Sequence, residues 1–446
     1  MTSATSGGRL ARFIRAATKV EPHEQKATLL SFLFVFILMT AYFILRPVRD
    51  ALSSDWTDEQ LSWLWTSTFF FSLIAVSVYG GVISRLRFKV IVPAVYVFFA
   101  ATFVGFYVAG SSLGDNDYVN RAFYVWLSVF SLFHLSVFWS FMSGLYNKEQ
   151  AKRLFAVIAL GATAGAIVGP AIPTFLADDI GTLNLLLIAS VLLLVPIPLI
   201  GVLEGLRESK LGNVDVQVDL SRQQQLGKNP FSGFTKFASN PYLLAIGVFI
   251  LFYVMMNTFI YFELRKMLGD FDRDVRAQIW GGIDLAVNSL AAVTALFATG
   301  RLATRVGMPS TLALIPILMV GGWLVVAFSP VLTVLVGLQV ARRAGNYAVT
   351  RPGREMLFTA VDADTRFKAK PVIDIVVYRG GDVVTAWAYT AMTATLGIGL
   401  AGVALFSALI CAAWAAAGVF LGRKYDRAAQ ADHAGRSPEK AAEDPA

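Results

Sequence analysis

Apolar residues run along this chain in long unbroken blocks, not at alternate or at every third and fourth position. About twelve blocks approach the ~20 residues that cross a hydrocarbon core as a helix. They occupy residues 27–48, 61–84, 89–110, 121–146, 154–177, 183–203, 242–265, 277–299, 309–328, 331–350, 370–395 and 398–421. Strands of a membrane barrel would be about ten residues long and would alternate apolar with polar. The pattern therefore predicts an all-α membrane protein. One long polar connection, 204–240, contains "ESKLGNVDVQVDLSRQQQLGKNP" and divides the blocks six and six. The expected organisation is a basic tail at 1–26, a six-helix bundle at 27–203, a central loop at 204–240, a second bundle at 241–422 and a disordered tail at 423–446.

Basic residues fix the expected orientation, because cytoplasmic connections carry an excess of Lys and Arg. One set of connections holds Arg85, Arg87 and Lys89, then Lys148, Lys152 and Arg153, then Arg207, Lys210, Arg222, Lys228 and Lys236. It continues with Arg301, Arg305 and the cluster from Arg342 to Lys370. The alternate connections, such as "SSDWTDEQ" and "ADDIGT", are short or acidic. Both ends and the central loop are thus expected in the cytoplasm of a bacterium, with the spans in its inner membrane. The first 26 residues are basic and lack the apolar core of a cleavable signal.

Composition agrees: 56% of residues are hydrophobic and 15% charged, where a soluble domain carries about a quarter charged. A single cysteine, Cys411, excludes a disulfide within the chain, and the three histidines have no ligand spacing. No phosphate loop, dinucleotide-binding glycine pattern or catalytic carboxylate pair is present, so no enzyme, cofactor, metal or nucleic-acid partner is expected. Gly161, Gly165 and Gly169, spaced by four, read as a packing face between membrane helices.

Two charged helix ends stand out. "YFILRPVRD", Tyr42 to Asp50, closes the first block, and "YFELRKMLGD", Tyr261 to Asp270, closes the seventh. A charge in hydrocarbon costs on the order of 2.5–3.5 kcal/mol unless it finds water or a partner. Arg46 and Arg49 either snorkel to headgroups, with Asp50 one turn from Arg46, or line a cavity for an anion. The recurrence at Arg265 and Lys266 favours the cavity. "GGVISRLRFKV" after the second block and "TGRLATRVGM" after the eighth also correspond. Matching features six helices apart suggest a parallel 6+6 repeat of the major facilitator kind, with substrate between the halves.

Other charges fall within spans: Glu263 in the seventh, Asp284 beside Asn288 in the eighth, and Asp374, Arg379 and Asp382 in the eleventh. Asp284 and Asn288 suit an interhelical hydrogen bond, Asp374 and Arg379 a packing ion pair, and His134 a packing residue or a proton carrier. The basic segment Ala341 to Asp374 puts Arg343 one turn from Tyr347 and Asn346 one turn from Thr350. Guanidinium forks of this kind match phosphate or carboxylate oxygens.

Three stretches resemble the nucleotide transporter family, the ATP/ADP translocases of plastids and obligate intracellular bacteria. They are "LRPVRD", "FWSFMSGLYNKEQAKRLFAVIALGATAG" and "NYAVTRPGREMLFTAVDADTRFKAKPVIDIVV". The resemblance implies a twelve-helix major facilitator fold and nucleotide exchange. Carried residue by residue, it points to Arg49, Glu149, Lys152, Arg354, Glu355, Lys370 and Asp374. Arg49 and Arg354 stand where the family has Lys, Arg351 where it has Asp, and Gln150 interrupts its Glu-Ala-Lys-Arg. The expected function is a secondary transporter of an organic anion, a nucleotide above others, working by alternating access in the lipid bilayer. Substrate would meet Arg46, Arg49, Arg265, Arg354, Lys370 and Tyr347. Asp50, Glu149, Lys152, Glu263, Asp284, Glu355, Asp374 and Arg379 would carry coupling charge pairs, Lys370 with Asp374 among them. The alternatives are a proton-coupled carrier of another solute, using Asp284, Asp374 or His134, and a non-transporting receptor or assembly partner.

Overall fold

The computed structural model describes residues 20–83, 88–211, 232–297, 307–362, 365, 369–370 and 372–435. Among these residues every regular element is helical. A bilayer leaves few other options, since a helix satisfies its own backbone polar groups where no water can. The first half contains α1 (Gln25–Leu52), α2 (Asp58–Ile83), α3 (Phe88–Leu113), α4 (Asp117–Leu145), α5 (Lys148–Ile180), α6 (Thr182–Leu194) and α7 (Pro196–Ser209). The second half contains α8 (Ser232–Ser239), α9 (Pro241–Met267), α10 (Arg273–Phe297), α11 (Met308–Phe328), α12 (Leu332–Gly345), α13 (Arg351–Leu357), α14 (Tyr378–Thr390) and α15 (Leu400–Gly435). Among the described residues, nine helical stretches are long and apolar enough to cross a membrane. The predicted eighth, tenth and eleventh spans are not among these stretches, and parts of the eighth and eleventh lie outside the described residues. α10 opens on Arg273, Asp274 and Arg276, and π-helical turns lie at Asn346–Thr350, Val372–Val377 and Ala391–Thr395.

Asparagine sets three helix starts. The side chains of Asn116 and Asn240 accept hydrogen bonds from the second and third backbone N–H groups of α4 and α9. Asn147 caps α5 in a reciprocal capping box with Gln150, which is buried. The residue that departs from the family pattern therefore closes the helix end, satisfying two otherwise orphaned donors.

The chain forms two compact units. The first comprises Met1–Ser53, Phe70–Leu220 and Phe271–Leu285; the second comprises Ser54–Phe69, Ser221–Asp270 and Ala286–Ala446. Each unit thus takes in the opening turns of one helix, α2 or α10, from the other half of the chain. In the first unit α1 lies against α5. A Cβ at Gly161 would fall 2.5 Å from the Phe32 carbonyl oxygen, and one at Gly169 would fall 2.7 Å from that of Thr40. The expected glycine packing face is present. Phe34, Tyr96, Phe130 and Phe138 fill the centre of this unit, with Phe34 and Phe138 edge to face at 5.1 Å. In the second unit Trp323 and Trp414 are fully buried, and a Cβ at Gly418 on α15 would fall 3.0 Å from the Leu312 carbonyl of α11. Phe70, Phe71, Ile74 and Val78 on α2 stay exposed, as a lipid-facing stripe must.

Three boundaries differ from the sequence expectation. The sixth span breaks at Val195, where Pro196 starts a new helix, and α7 runs on to Ser209 before the central loop. The last helix continues to Gly435 and does not stop near 422. Its extension, "RKYDRAAQADHA", is made largely of good helix formers with no breaker before that glycine. The tail at 1–19, most of the central loop (212–231), residues 84–87 of the first loop repeat, most of the second (298–306) and 436–446 lie outside the described residues.

Gly165 offers a direct test of the α1–α5 packing. A Cβ there would clash with the Phe36 carbonyl and approach the Met39 Cβ at 2.9 Å, whereas Gly201 has nothing within 4 Å. Overpacking costs about 1–3 kcal/mol, and relief of helical glycine gains up to about 1 kcal/mol. In denaturant titrations of the full chain, Gly165→Ala should be destabilised and Gly201→Ala should not.

Candidate functional site

The two repeated helix ends each build a buried charge cluster, one in each unit. At the end of α1, Pro47 takes one backbone donor out of the helical ladder, and Arg46, Arg49 and Asp50 share the last turns. Asp50 is buried and accepts two hydrogen bonds from Arg49, at 2.9 and 2.6 Å. Arg49 also donates to Ser128 and lies 5.3 Å from the Tyr124 ring centre. Arg46 sits 3.7 Å from Asp50 and 3.5 Å from Asp284 of α10. Asp284 is thereby the partner of a guanidinium one helix away, and it is 2% exposed.

The second cluster closes α9. Arg265, 1% exposed, donates to the Asp58 carboxylate at the start of α2 and to the Trp56 carbonyl at 2.5 Å. Lys266 reaches the same carboxylate at 2.7 Å. Thr393 donates to Asp58 Oδ2 at 2.6 Å. Glu263, one turn back, is buried and accepts a 2.5 Å bond from the hydroxyl of Tyr389 on α14. That hydroxyl in turn accepts from Lys266 at 2.9 Å. Charge-assisted contacts of this kind are stronger than neutral ones. Each helix end thus sets cations against a carboxylate from another helix, Asp284 of α10 or Asp58 of α2.

A third feature of the second unit has different electrostatics. Arg342 on α12 is fully buried. Its Nη2 donates to Asn257 and Gln339 side-chain oxygens, both at 2.8 Å, and its guanidinium lies 5.4 Å from the Tyr253 ring centre. Among the described residues no carboxylate comes within ion-pair distance, and its Nε and Nη1 have no hydrogen-bond partner. Asp382 on α14 feels the charge of Arg379 and Arg342 without touching either. Arg343 is buried beside Arg342, and a π-helical turn follows at Asn346. Such turns recur at functional sites.

The remaining expected residues fall elsewhere. Lys370 pairs with Glu355 at 2.5 Å, and Arg354 lies 3.5 Å from the same carboxylate. The expected partner of Lys370, the Asp374 side chain, lies outside the described residues. Glu149 and Lys152 form an exposed pair at 2.9 Å, 78% and 71% open, a geometry worth little. Tyr347 is 40% exposed. His134 is buried and stacked on Tyr42 at 4.4 Å between ring centres. Glu21, His23 and Glu24 could approach a metal ion together, but Glu24 is already held by both ends of the Arg153 guanidinium.

Sequence reading missed Asp58, Tyr389 and the distinct setting of Arg342. Asp58 was expected in an acidic outer connection, yet it opens α2 and faces α9. The signal for Arg342 was present. Gln339 and Arg342 are three apart on a helix whose other buried positions include Leu335 and Leu338, so they form one polar ridge.

Glu355 carries a pH dependence. Partial burial pushes its carboxyl up, but Lys370 and Arg354 outweigh this and hold it below its ordinary value. A depressed carboxyl stabilises the fold above the unfolded-state pKa of about 4.3 and loses that contribution as pH falls through the folded value. The group is more than a third exposed, so the contribution is below about 1 kcal/mol. In thermal melts from about pH 7 down to about pH 3, Glu355→Gln should flatten the acid limb relative to the parent. An unchanged limb would show that the pair carries no linkage.

Comparison with known proteins agrees with this geometry. The profile of the Major Facilitator Superfamily matches residues 29–347. No curated protein matches the chain. Among solved structures, the chain is similar to a bacterial homologue of the human lysosomal transporter Spinster, crystallised in an inward-facing and unoccupied conformation. The two share 13% identity at a TM-score of 0.54 over 92% of this chain and 98% of the other, a likeness of fold. With a family match over most of its length and helices able to span a bilayer, this chain is an integral membrane protein belonging to the Major Facilitator Superfamily of transporters.

Proposed function

We propose that the protein is a secondary transporter of an organic anion, working by alternating access from a bacterial inner membrane with both ends in the cytoplasm. The observation that carries the anion is Arg342. A buried guanidinium costs several kcal/mol unless compensated, and here its partners are two neutral amides and an aromatic face. Every other cation in the two helix-end clusters has a carboxylate close by. An arriving phosphate or carboxylate would supply the missing charge in two-oxygen geometry. Nucleotides are the first class to test, on the resemblance of the segments around Arg49, Glu149 and Arg354 to the nucleotide transporters. The fold shared with a Spinster homologue favours, as the second reading, a proton-coupled transporter of another solute or amphiphile.

Alternating access needs contacts that hold one arrangement and release another. The pairs Arg46–Asp284 and Arg265–Asp58 join helices far apart in sequence and are suited to that role.

Two measurements test this reading. The purified full chain should bind ATP, ADP or a simpler organic phosphate in calorimetry. Arg342→Gln should weaken binding roughly ten- to a hundredfold, the loss of one charge-assisted contact, and Arg342→Lys should weaken it less. Binding unaffected in both variants, or no organic anion bound by the parent, would remove the anion reading. Reporter fusions at Asp179 and Gly212 should localise to opposite sides of the membrane; the same side for both would overturn the orientation.

A further inference from the structure

The clusters contain two acidic groups in very different company. Asp58 receives Arg265, Lys266 and Thr393. Glu263 is 4% exposed, and among the described residues its hydrogen-bond partner is the Tyr389 hydroxyl, with no cation in ion-pair contact. Both clamp cations have gone to Asp58. A membrane-buried carboxylate of this kind is costly as an anion and inexpensive as an acid. The charged and titratable groups whose fields reach it are Lys266 and Arg265 on its own helix, Asp58 on α2 and Tyr389 on α14.

A route to the protein surface is also present. Lys266 is 36% exposed in its side chain and donates to the Tyr389 hydroxyl, which donates to Glu263. The chain from surface to carboxylate is Lys266, Tyr389, Glu263, with contacts of 2.9 and 2.5 Å. The Lys266 ammonium also lies 4.7 Å from the Tyr389 ring centre, so the ring holds that cation by its face as well.

We propose that Glu263 is a proton-binding site, reached through Lys266 and Tyr389, and that its proton occupancy controls the Arg265–Lys266–Asp58 clamp. In the step itself a proton from water ends on a Glu263 carboxylate oxygen, and the carboxylate becomes a neutral acid. The acid no longer requires the Tyr389 hydroxyl as a donor. Tyr389 is then free to turn, and Lys266 loses the hydroxyl that anchors it beside Asp58. The clamp is strong when Glu263 is ionised and weaker when it is protonated. This goes beyond anion transport, since it assigns a driving ion to a site separate from Arg342.

Infrared difference titration of the full chain in lipid, from about pH 5 to about pH 9 and without added substrate, tests the assignment. The parent should show a carboxylic-acid band that titrates in this range. Glu263→Gln should abolish it, and Tyr389→Phe should retain the band with a displaced midpoint. Asp284→Asn, which alters a carboxylate of the first unit outside this hydrogen-bond network, should leave it in place. A titrating band that survives in Glu263→Gln, or a midpoint indifferent to Tyr389→Phe, would overturn the proposal. Because no substrate is used, the result does not depend on whether an organic anion binds at Arg342.

Discussion

A charge within a bilayer must find a partner, and the interior of this protein is arranged around that requirement. The carboxylates Asp50, Asp284 and Asp58 are almost wholly removed from solvent, and each has a guanidinium close by. Desolvating such ions costs several kcal/mol apiece, and their mutual attraction offsets it only where geometry is good and further hydrogen bonds fill the remaining positions. The bonds that Arg49 donates to Ser128 and Arg265 to the Trp56 carbonyl, and the one that Asp58 accepts from Thr393, are those further bonds. The opening turns of α2 and α10 are therefore placed by charge as much as by apolar packing. That explains why each is counted with the unit built mainly from the other half of the chain.

Hydrocarbon burial makes whole spans legible, because a membrane helix must be about twenty apolar residues long wherever it goes. The helices accordingly appear close to where the apolar runs place them, and the spacing of Gly161, Gly165 and Gly169 predicted a real close approach of backbones. The tail after 422 was misread because an exposed helix of Ala, Arg and Gln leaves no apolar signature. The π-helical turns at Asn346–Thr350, Val372–Val377 and Ala391–Thr395 were not predicted, since the apolar runs that mark spans carry no sign of an extra residue in a turn. Charges within spans were easy to see, but their partners were not. Nothing local to "SSDWTDEQ" distinguishes Asp58 from Asp55, and only the fold brings Arg265 to it.

The same physics separates structural charge from functional charge. Ion pairs that neutralise each other, such as Glu149 with Lys152 at the surface or Arg49 with Asp50 in the interior, are complete as they stand. Arg342 and Glu263, one cationic and one anionic, are buried groups of the second unit whose hydrogen-bond partners among the described residues carry no opposite charge. A transporter that moves an anion with a proton needs one site of each kind. The superfamily fold supplies the bundle, and these two residues supply the chemistry proposed for it.

The central claim is that the buried helix-end charges are held as pairs. A double-mutant cycle on Asp58 and Arg265, read as unfolding free energy of the full chain, tests it most directly. Removing one partner of a buried pair strands the other and costs about 3–5 kcal/mol, whereas replacing both by apolar groups is often near neutral. Asp58→Leu and Arg265→Met should each be strongly destabilised. The double variant should recover most of that loss, because Lys266 is exposed enough to reach water. Coupling of at least about 2 kcal/mol lies within the range for contacting residues and would support the account. Losses that simply add would contradict it.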